Sequence, residues 1–321
     1  MKGKDLKFDV IVVGLNTVDI LLILPDKVVA DGKHIVKDMT MQGGAPVGSG
    51  VSALTRLGYK GGYVARLGDN PASLLSLGEF AANNISDALV VRDKTSMPAV
   101  AVVEIERKTS ARTVFIMMEN YGYVRKADIP VAAIKNSRLL WVDSYDLDAT
   151  EAAVKAASGS PCRVLMDFES GDKKRMLGLL KYGTDIVFPL ECAKFLSGKK
   201  DAESALRSLS KYTSAQLVAT DGVNGSWALS DGKVIHQAAF LVKKPVDSTG
   251  CGDAFHAGYA IGILEGWPLE MRMECGAFIA SLVVQKLGGR TALPFKKDLP
   301  KVLDKRISRG LREALLKIAK K

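Results

Sequence analysis

The hydrophobic pattern along the chain switches between two periods. Residues 8–14 (FDVIVVG) form a continuous apolar, β-branched run ending in Gly, as expected for a parallel strand buried on both faces. Residues 43–58 pass from a Gly-Gly turn into an apolar helix, and residues 63–69 (YVARLGD) return as a strand. From Tyr123 onward the alternation is regular. It predicts helix 128–136, strand 138–143, helix 149–157, strand 163–167, helix 173–182, strand 185–188, helices 190–196 and 202–212, and strand 216–219. Residues 227–229 and 234–236 read as a hairpin, and 254–264 and 269–287 as helices. Such alternation implies right-handed βαβ units and a doubly wound, mostly parallel α/β sheet flanked by helices. Asp143 and Asp167 close their strands, which directs them to the C-terminal edge where open α/β sheets bind ligands, or makes them strand-end caps.

Two stretches interrupt the pattern. Residues 20–41, with turns at Pro25 and Asp31-Gly32, read as short strands. So do residues 97–118, with a polar turn at 108–110. Together, over 17–42 and 96–120, they predict a small β-sheet inserted in one domain spanning 1–321.

Composition narrows the class. A chain of 321 residues with 47% apolar positions can bury one large α/β core. Cys162, Cys192, Cys251 and Cys275 show no paired or metal-type spacing, so a reducing cytoplasm is the expected compartment. Three histidines, His34, His236 and His256, argue against a His-rich metal site. No leader pattern and no apolar run of membrane-spanning length is present, so neither secretion nor a membrane span is expected. The net charge is +10, but residues 296–321 hold ten Lys/Arg against three Asp/Glu, leaving +3 for the rest. Leu299, Val302, Leu303, Ile307, Leu311, Leu315 and Ile318 give that segment a helical apolar stripe. It reads as a basic amphipathic helix packed on the domain, and no nucleic-acid partner is expected.

The candidate chemistry centres on residues 247–258 (DSTGCGDAFHAG). A glycine-rich turn that opens a helix leaves backbone N–H groups unpaired, and the helix dipole adds partial positive charge there. Gly250, Cys251 and Gly252 thus form a candidate anion hole, most naturally for phosphate. Asp253 ends the turn. A carboxylate beside an anion cradle makes chemical sense as a base that takes a proton from an attacking hydroxyl. The other reading is a tightly packed helix start with Asp253 as its first-turn acid. His256, inside the same helix, reads as a packing or surface residue rather than a catalyst. Residues 14–19 lack the Gly-x-Gly-x-x-Gly spacing of a dinucleotide site.

With its two glycine-rich turns about 200 residues apart, the chain resembles the ribokinase-like (PfkB-type) carbohydrate kinases. The first family signature is matched by Gly43-Gly44, the helix ending in Leu57-Gly58 and the strand ending in Gly68-Asp69. The second is matched at Asp247, Thr249, Gly250, Gly252, Asp253, Phe255 and Gly258, with Cys251 in place of the usual Ala. The resemblance implies a ribokinase-like fold whose small sheet is a lid over the site. It implies ATP-dependent transfer of phosphate to a hydroxyl of a sugar or sugar-like molecule, with Asp253 as base. Asp19, helped by Asn16, would hold sugar hydroxyls together with Gly43 and Gly44. Thr220, Gly222 and Gly225, in a Thr-x-Gly-x-x-Gly loop, and Gly288 would line ATP. Mg2+ would be bound mainly by ATP, with Asp247 nearby, and a monovalent-cation requirement stays open. Lys33 either contacts an anionic substituent of the substrate or is a solvated edge-strand lysine. Arg112-Thr113 resembles the Arg-Thr that often follows the lid turn, and the lid's outer face would pair two subunits in a homodimer.

The chain departs from the family pattern at three places. Gly48 stands where the family usually has Asn. Pro189 and Cys192 stand at the positions of an Asn-x-x-Glu motif that organises Mg2+, with Glu191 adjacent as a substitute. An Asn is missing near Ala277, where adenine would lie. These departures keep two alternatives in view: a nucleotide- or sugar-binding regulator of the same fold, and a nucleoside kinase of the family.

Overall fold

The computed structural model describes residues 7–321, so the first six positions of the 1–321 domain lie outside the described residues. The main sheet is built outward from β1 (Val10–Val13), whose four residues are all buried. On one side lies β4 (Gly61–Leu67), with the short strands β5 (Ile85–Ser86) and β6 (Val90–Arg92) beyond it. On the other side follow β9 (Leu139–Asp143), β10 (Arg163–Asp167), β11 (Asp185–Pro189) and β12 (Gln216–Thr220), all parallel. An antiparallel hairpin, β13 (Ser226–Ser230) and β14 (Lys233–Gln237), closes that edge. The chain therefore leaves β1 first to one side and later to the other, which opens a crevice at the C-terminal ends of β1 and its neighbours.

The period of two inside the strands sorts side chains into two cores. Val10, Val12, Leu139 and Trp141 face one layer; Ile11, Val13, Leu140 and Val142 face the other. The first layer holds α1 (Pro46–Arg56), α8 (Cys251–Leu264), α9 (Leu269–Val283) and α11 (Arg309–Lys320). The second holds α3 (Val131–Asn136), α4 (Leu147–Ala157), α5 (Lys173–Leu179), α6 (Leu190–Ser197) and α7 (Ala202–Leu209). A separate four-stranded sheet, ordered β3 (Met39–Gly43), β2 (Thr17–Ile23), β7 (Ala99–Ile105), β8 (Arg112–Met117), stands beside the crevice. The remaining helices are α2 (Pro71–Ala82), whose Asn70 side chain accepts from Ser73 N–H, and the short α10 (Leu299–Val302). Among the described residues no helix is long and apolar enough to cross a membrane.

Several helix ends differ from the sequence pattern: the helix predicted over 128–136 begins at Val131, that over 149–157 at Leu147, and that over 173–182 gives way to a 3-10 turn after Leu179. The helix predicted over 202–212 ends at Leu209, and that over 269–287 ends at Val283, ahead of a turn in which Gly288 takes φ +89°. The tail is two helices rather than one. Leu303 is extended, and Ser308 caps a new helix by accepting from Leu311 N–H at 3.2 Å. The apolar stripe survives the break, because Leu299, Ile307, Leu311, Leu315 and Ile318 are all buried.

Two glycines set how closely α8 and α9 approach. A Cβ at Gly258 would lie 2.5 Å from the Cys275 carbonyl oxygen, and one at Gly276 would lie 2.8 Å from that of Phe255. Backbone cannot move aside as a flexible side chain would. In an exposed helix, Gly→Ala is stabilising by up to about 1 kcal/mol. Here overpacking outweighs that gain, so Gly258→Ala is expected to lose about 1–3 kcal/mol. Urea denaturation checks this, and a midpoint equal to or above that of the unmodified chain counts against such close packing.

Candidate active site

Asp247 shapes the turn before α8. Its buried carboxylate accepts from Thr249 N–H at 2.7 Å and from Gly288 N–H at 2.8 Å, so each oxygen is held by a backbone donor. Gly250 then takes the left-handed conformation (φ 74°), and no side chain caps the helix. Among the described residues the N–H groups of Gly250, Gly252 and Asp253 meet no acceptor, while that of Cys251 closes the turn on the Ser248 carbonyl at 3.3 Å. Two of the three predicted anion-hole donors are thus free, and Asp253 adds its own. The Cys251 thiol is pushed up to about 12 by burial and stays neutral. Burial, with added repulsion from Glu169, pushes the Asp253 carboxyl up to about 7, while Arg112 and Arg290 pull it down. Arg112 reaches from β8 across the crevice and donates to the Ser248 carbonyl (3.0 Å) and hydroxyl (3.2 Å).

The second glycine turn faces the first. Gly44 must lack a side chain because the Asp19 carboxylate occupies that space, and burial raises the pKa of that carboxyl. Gly43 N–H donates to Glu79 Oε2 at 3.0 Å, and the Gly44 carbonyl accepts from Arg290 Nη2 at 2.8 Å. The Arg290 side chain, 2% exposed, also lies 3.3 Å from Glu79. A Cβ at Gly48 would stand 2.7 Å from Arg290 Nη2. The space left by the missing side chain at position 48 is therefore filled by a guanidinium from the far end of the chain. Ala45 holds φ 66°, a strained setting for a residue with a Cβ, of the kind that concentrates at functional sites. The Asn16 amide makes a reciprocal pair with the Ser76 hydroxyl (2.9 and 3.2 Å), which leaves it embedded in the scaffold. Lys33 is exposed in the loop between β2 and β3.

Thr220 ends β12, with its hydroxyl 3.3 Å from the Phe188 carbonyl. Gly222 (φ 50°) and Gly225 (φ 92°) follow in a single 3-10 turn, and space above Gly222 is open. Gly288 is tied to Asp247 rather than free. No cage for a divalent ion is evident: among the described residues no three or more His, Cys, Asp and Glu are placed so that together they could hold a metal ion. Pro189 offers no side-chain oxygen, burial pushes the Cys192 thiol up to about 12, and Glu191 points to solvent against Lys194 at 2.8 Å. The residues at the motif positions do not fit Mg2+.

Sequence reasoning missed Arg290 and Glu79. The available signal was a charged residue directly after Gly288-Gly289, between apolar stretches, where a solvated side chain is not expected.

Comparison with known proteins gives the family and the fold. The model of the pfkB family carbohydrate kinases matches residues 8–296. The chain is 28% identical over 288 residues to a fructokinase of Klebsiella pneumoniae, covering 81% of this chain and 91% of that protein. It is 23% identical over 274 residues to a 5-dehydro-2-deoxygluconokinase of Geobacillus thermodenitrificans, covering 78% and 81%. Among solved structures, Arabidopsis thaliana ribokinase complexed with ribose and ATP superimposes with a TM-score of 0.75 at 20% identity, over 98% of this chain and 100% of that one. The fold is thus ribokinase-like, and the chain belongs to the pfkB family of carbohydrate kinases.

Proposed function

We propose that the chain transfers the γ-phosphoryl group of ATP to a hydroxyl of a sugar or sugar-like acceptor, with Asp253 as general base. One observation carries this reading. A recessed carboxylate with its pKa pushed up to about 7 shares a turn with free N–H groups that can hold an anion. In this reading Asp19 and the Gly43-Gly44 turn hold the acceptor, and Asp253 takes the hydroxyl proton as its oxygen attacks. The N–H groups of Gly250, Gly252 and Asp253 stabilise the transferring charge. The loop at Thr220–Gly225 lies along ATP; the ATP-bound plant ribokinase of like fold supports this. Mg2+ brought in by the nucleotide would supply neutralisation of phosphate charge and would be held mainly by the phosphates and water rather than by Pro189, Glu191 or Cys192. The four-stranded sheet acts as a lid that keeps water from competing with the acceptor. The curated relatives act, by their names, on a ketose and on a deoxy sugar acid, so both acceptor classes belong in the trial. The four free cysteines support a reducing cytoplasm as the compartment.

The lid also supports a homodimer. Val114, Phe115, Ile116 and Met117 on the edge strand β8 are 42–56% exposed, a run that a second copy would cover.

ADP release with Mg-ATP across ketoses, aldoses, sugar acids and nucleosides tests the reading. Asp253→Asn is expected to fold normally and to lower turnover by about 10²–10⁴-fold. Near-normal turnover in that variant removes Asp253 as base; ATP binding without any acceptor-dependent ADP release favours the regulator. The base works ionised. Because its pKa is raised to about 7, kcat/KM should fall about tenfold per unit as pH drops below 7. A flat profile from pH 5 to 8 contradicts that. Light scattering should give twice the chain mass, reduced to one by Phe115→Arg; a monomer from the start rejects the pairing.

A further inference from the structure

His256 stands one helical turn beyond Asp253 and takes no part in the transfer proposed above. The structure removes it from the surface: it is 1% exposed. Its Nδ1 lies 2.8 Å from the Gly252 carbonyl oxygen. Its Nε2 lies 3.3 Å from the Val187 carbonyl oxygen and 3.1 Å from Asp167 Oδ1. Both ring nitrogens therefore face oxygen, and the carbonyls can only accept. A neutral imidazole carries one N–H, so its other nitrogen needs a donor. Asp167, if protonated, is the group that can supply one.

Asp167 closes β10 and is fully buried; Oδ1 lies 3.1 Å from His256 Nε2, no group meets either oxygen in full hydrogen-bond geometry, and the Trp141 side chain is the one neighbour that draws its pKa down. Trp141 on β9 packs its ring against the imidazole, with centroids 6.1 Å apart, and its buried Nε1–H bears on Asp167 without closing a hydrogen bond of full geometry. The charged groups around Asp167 are Glu169, Asp253 and Asp143, all acidic, and Glu169 also faces His256. Burial first, then those neighbours, drive the Asp167 pKa well above its ordinary value, and burial lowers that of His256. A separated ion pair has little to support it there.

We propose that Asp167 and His256 form a neutral pair, Asp167 O–H donating to His256 Nε2 and His256 Nδ1–H donating to the Gly252 carbonyl, that positions the Gly252–Asp253 peptide. The geometry explains the effect. In a trans peptide C=O and N–H point in opposite directions. Drawing the Gly252 carbonyl inward aims the Asp253 N–H outward, into the anion turn. Because α8 has no capping side chain, the His256 imidazole is the described side-chain group that meets a carbonyl of its first turn, while the Cys251 thiol ties that turn outward to the Ala280 carbonyl at 3.9 Å. Asp167 and His256 are positioning residues, acting through that peptide. Their value to catalysis rests on the transfer reading; the pair itself does not.

With three histidines in the chain, ¹⁵N-histidine NMR can resolve each ring. One ring, absent in His256→Asn, should show the neutral Nδ1–H tautomer and should not titrate between pH 5.5 and 8.5. An imidazolium or an Nε2–H tautomer at that position overturns the pair. ADP release with Mg-ATP, water or sugar as acceptor, gives the second readout. His256→Leu should lower kcat about 10- to 100-fold, short of the loss of a whole oxyanion donor, with KM for ATP within about threefold. His256→Asn keeps an amide donor near the Nδ1 position, and Asp167→Asn keeps one towards Nε2. Both should stay within about threefold of the unmodified kcat, since one net hydrogen bond is worth about tenfold. A folded His256→Leu with full kcat, or an equal loss in His256→Asn, overturns the positioning role. Where His256→Leu does not fold, the tautomer decides. Failure of the tautomer test with Asp253→Asn still inactive condemns the pair alone; full activity of Asp253→Asn condemns the transfer reading and leaves the tautomer intact.

Discussion

The carboxylate of Asp247 holds the two ends of the site together. By taking one N–H from the turn before α8 and one from Gly288, it fixes that turn to the strap that follows α9. That strap continues two residues later into Arg290, whose backbone N–H lies 3.3 Å from Gln42 Oε1 and whose guanidinium reaches the Gly44 carbonyl. Gly250 and Gly289 pack backbone on backbone, since a Cβ on Gly250 would stand 2.6 Å from the Gly289 Cα. One buried acid thereby sets the distance between the two glycine turns, and with it the geometry available for any group transferred between them.

The crevice is crowded with acids. Asp143, Asp167, Glu169 and Asp253 gather at the ends of adjacent strands and the start of α8, and the first, second and fourth are shifted upward mainly by burial. They are kept apart by use. Asp143 accepts from Leu15 N–H at 2.8 Å and Tyr145 N–H at 3.0 Å, so it joins the ends of β1 and β9. Asp253 is left facing the anion turn. Positive charge comes from two arginines, Arg112 from the small sheet and Arg290 from below, which temper a field that would otherwise oppose a phosphate.

The sheet and its helices were legible because continuous apolar strands and helical stripes follow from burial on both faces. The glycine turns were legible because a backbone that approaches a ligand or another backbone admits no larger residue. What escaped was long-range and polar. Nothing near Gly48 announces Arg290, which arrives from 242 positions away in sequence (290 − 48). The break between α10 and α11 escaped because an unbroken apolar stripe fits one helix or two. His256 escaped because a histidine in an apolar helix looks the same whether it meets solvent or a buried acid; only the fold reveals β10 behind it.

The exchange between positions 48 and 290 also bears on how such a site can change. A side chain at position 48 would have to push the guanidinium aside, and the guanidinium cannot leave without uncovering the Gly44 carbonyl and the Glu79 carboxylate. Substitutions at the two positions are therefore expected to be non-additive, with Glu79 as the third member of the group. Change in this part of the fold should therefore come in pairs, with both ends of the sequence moving together.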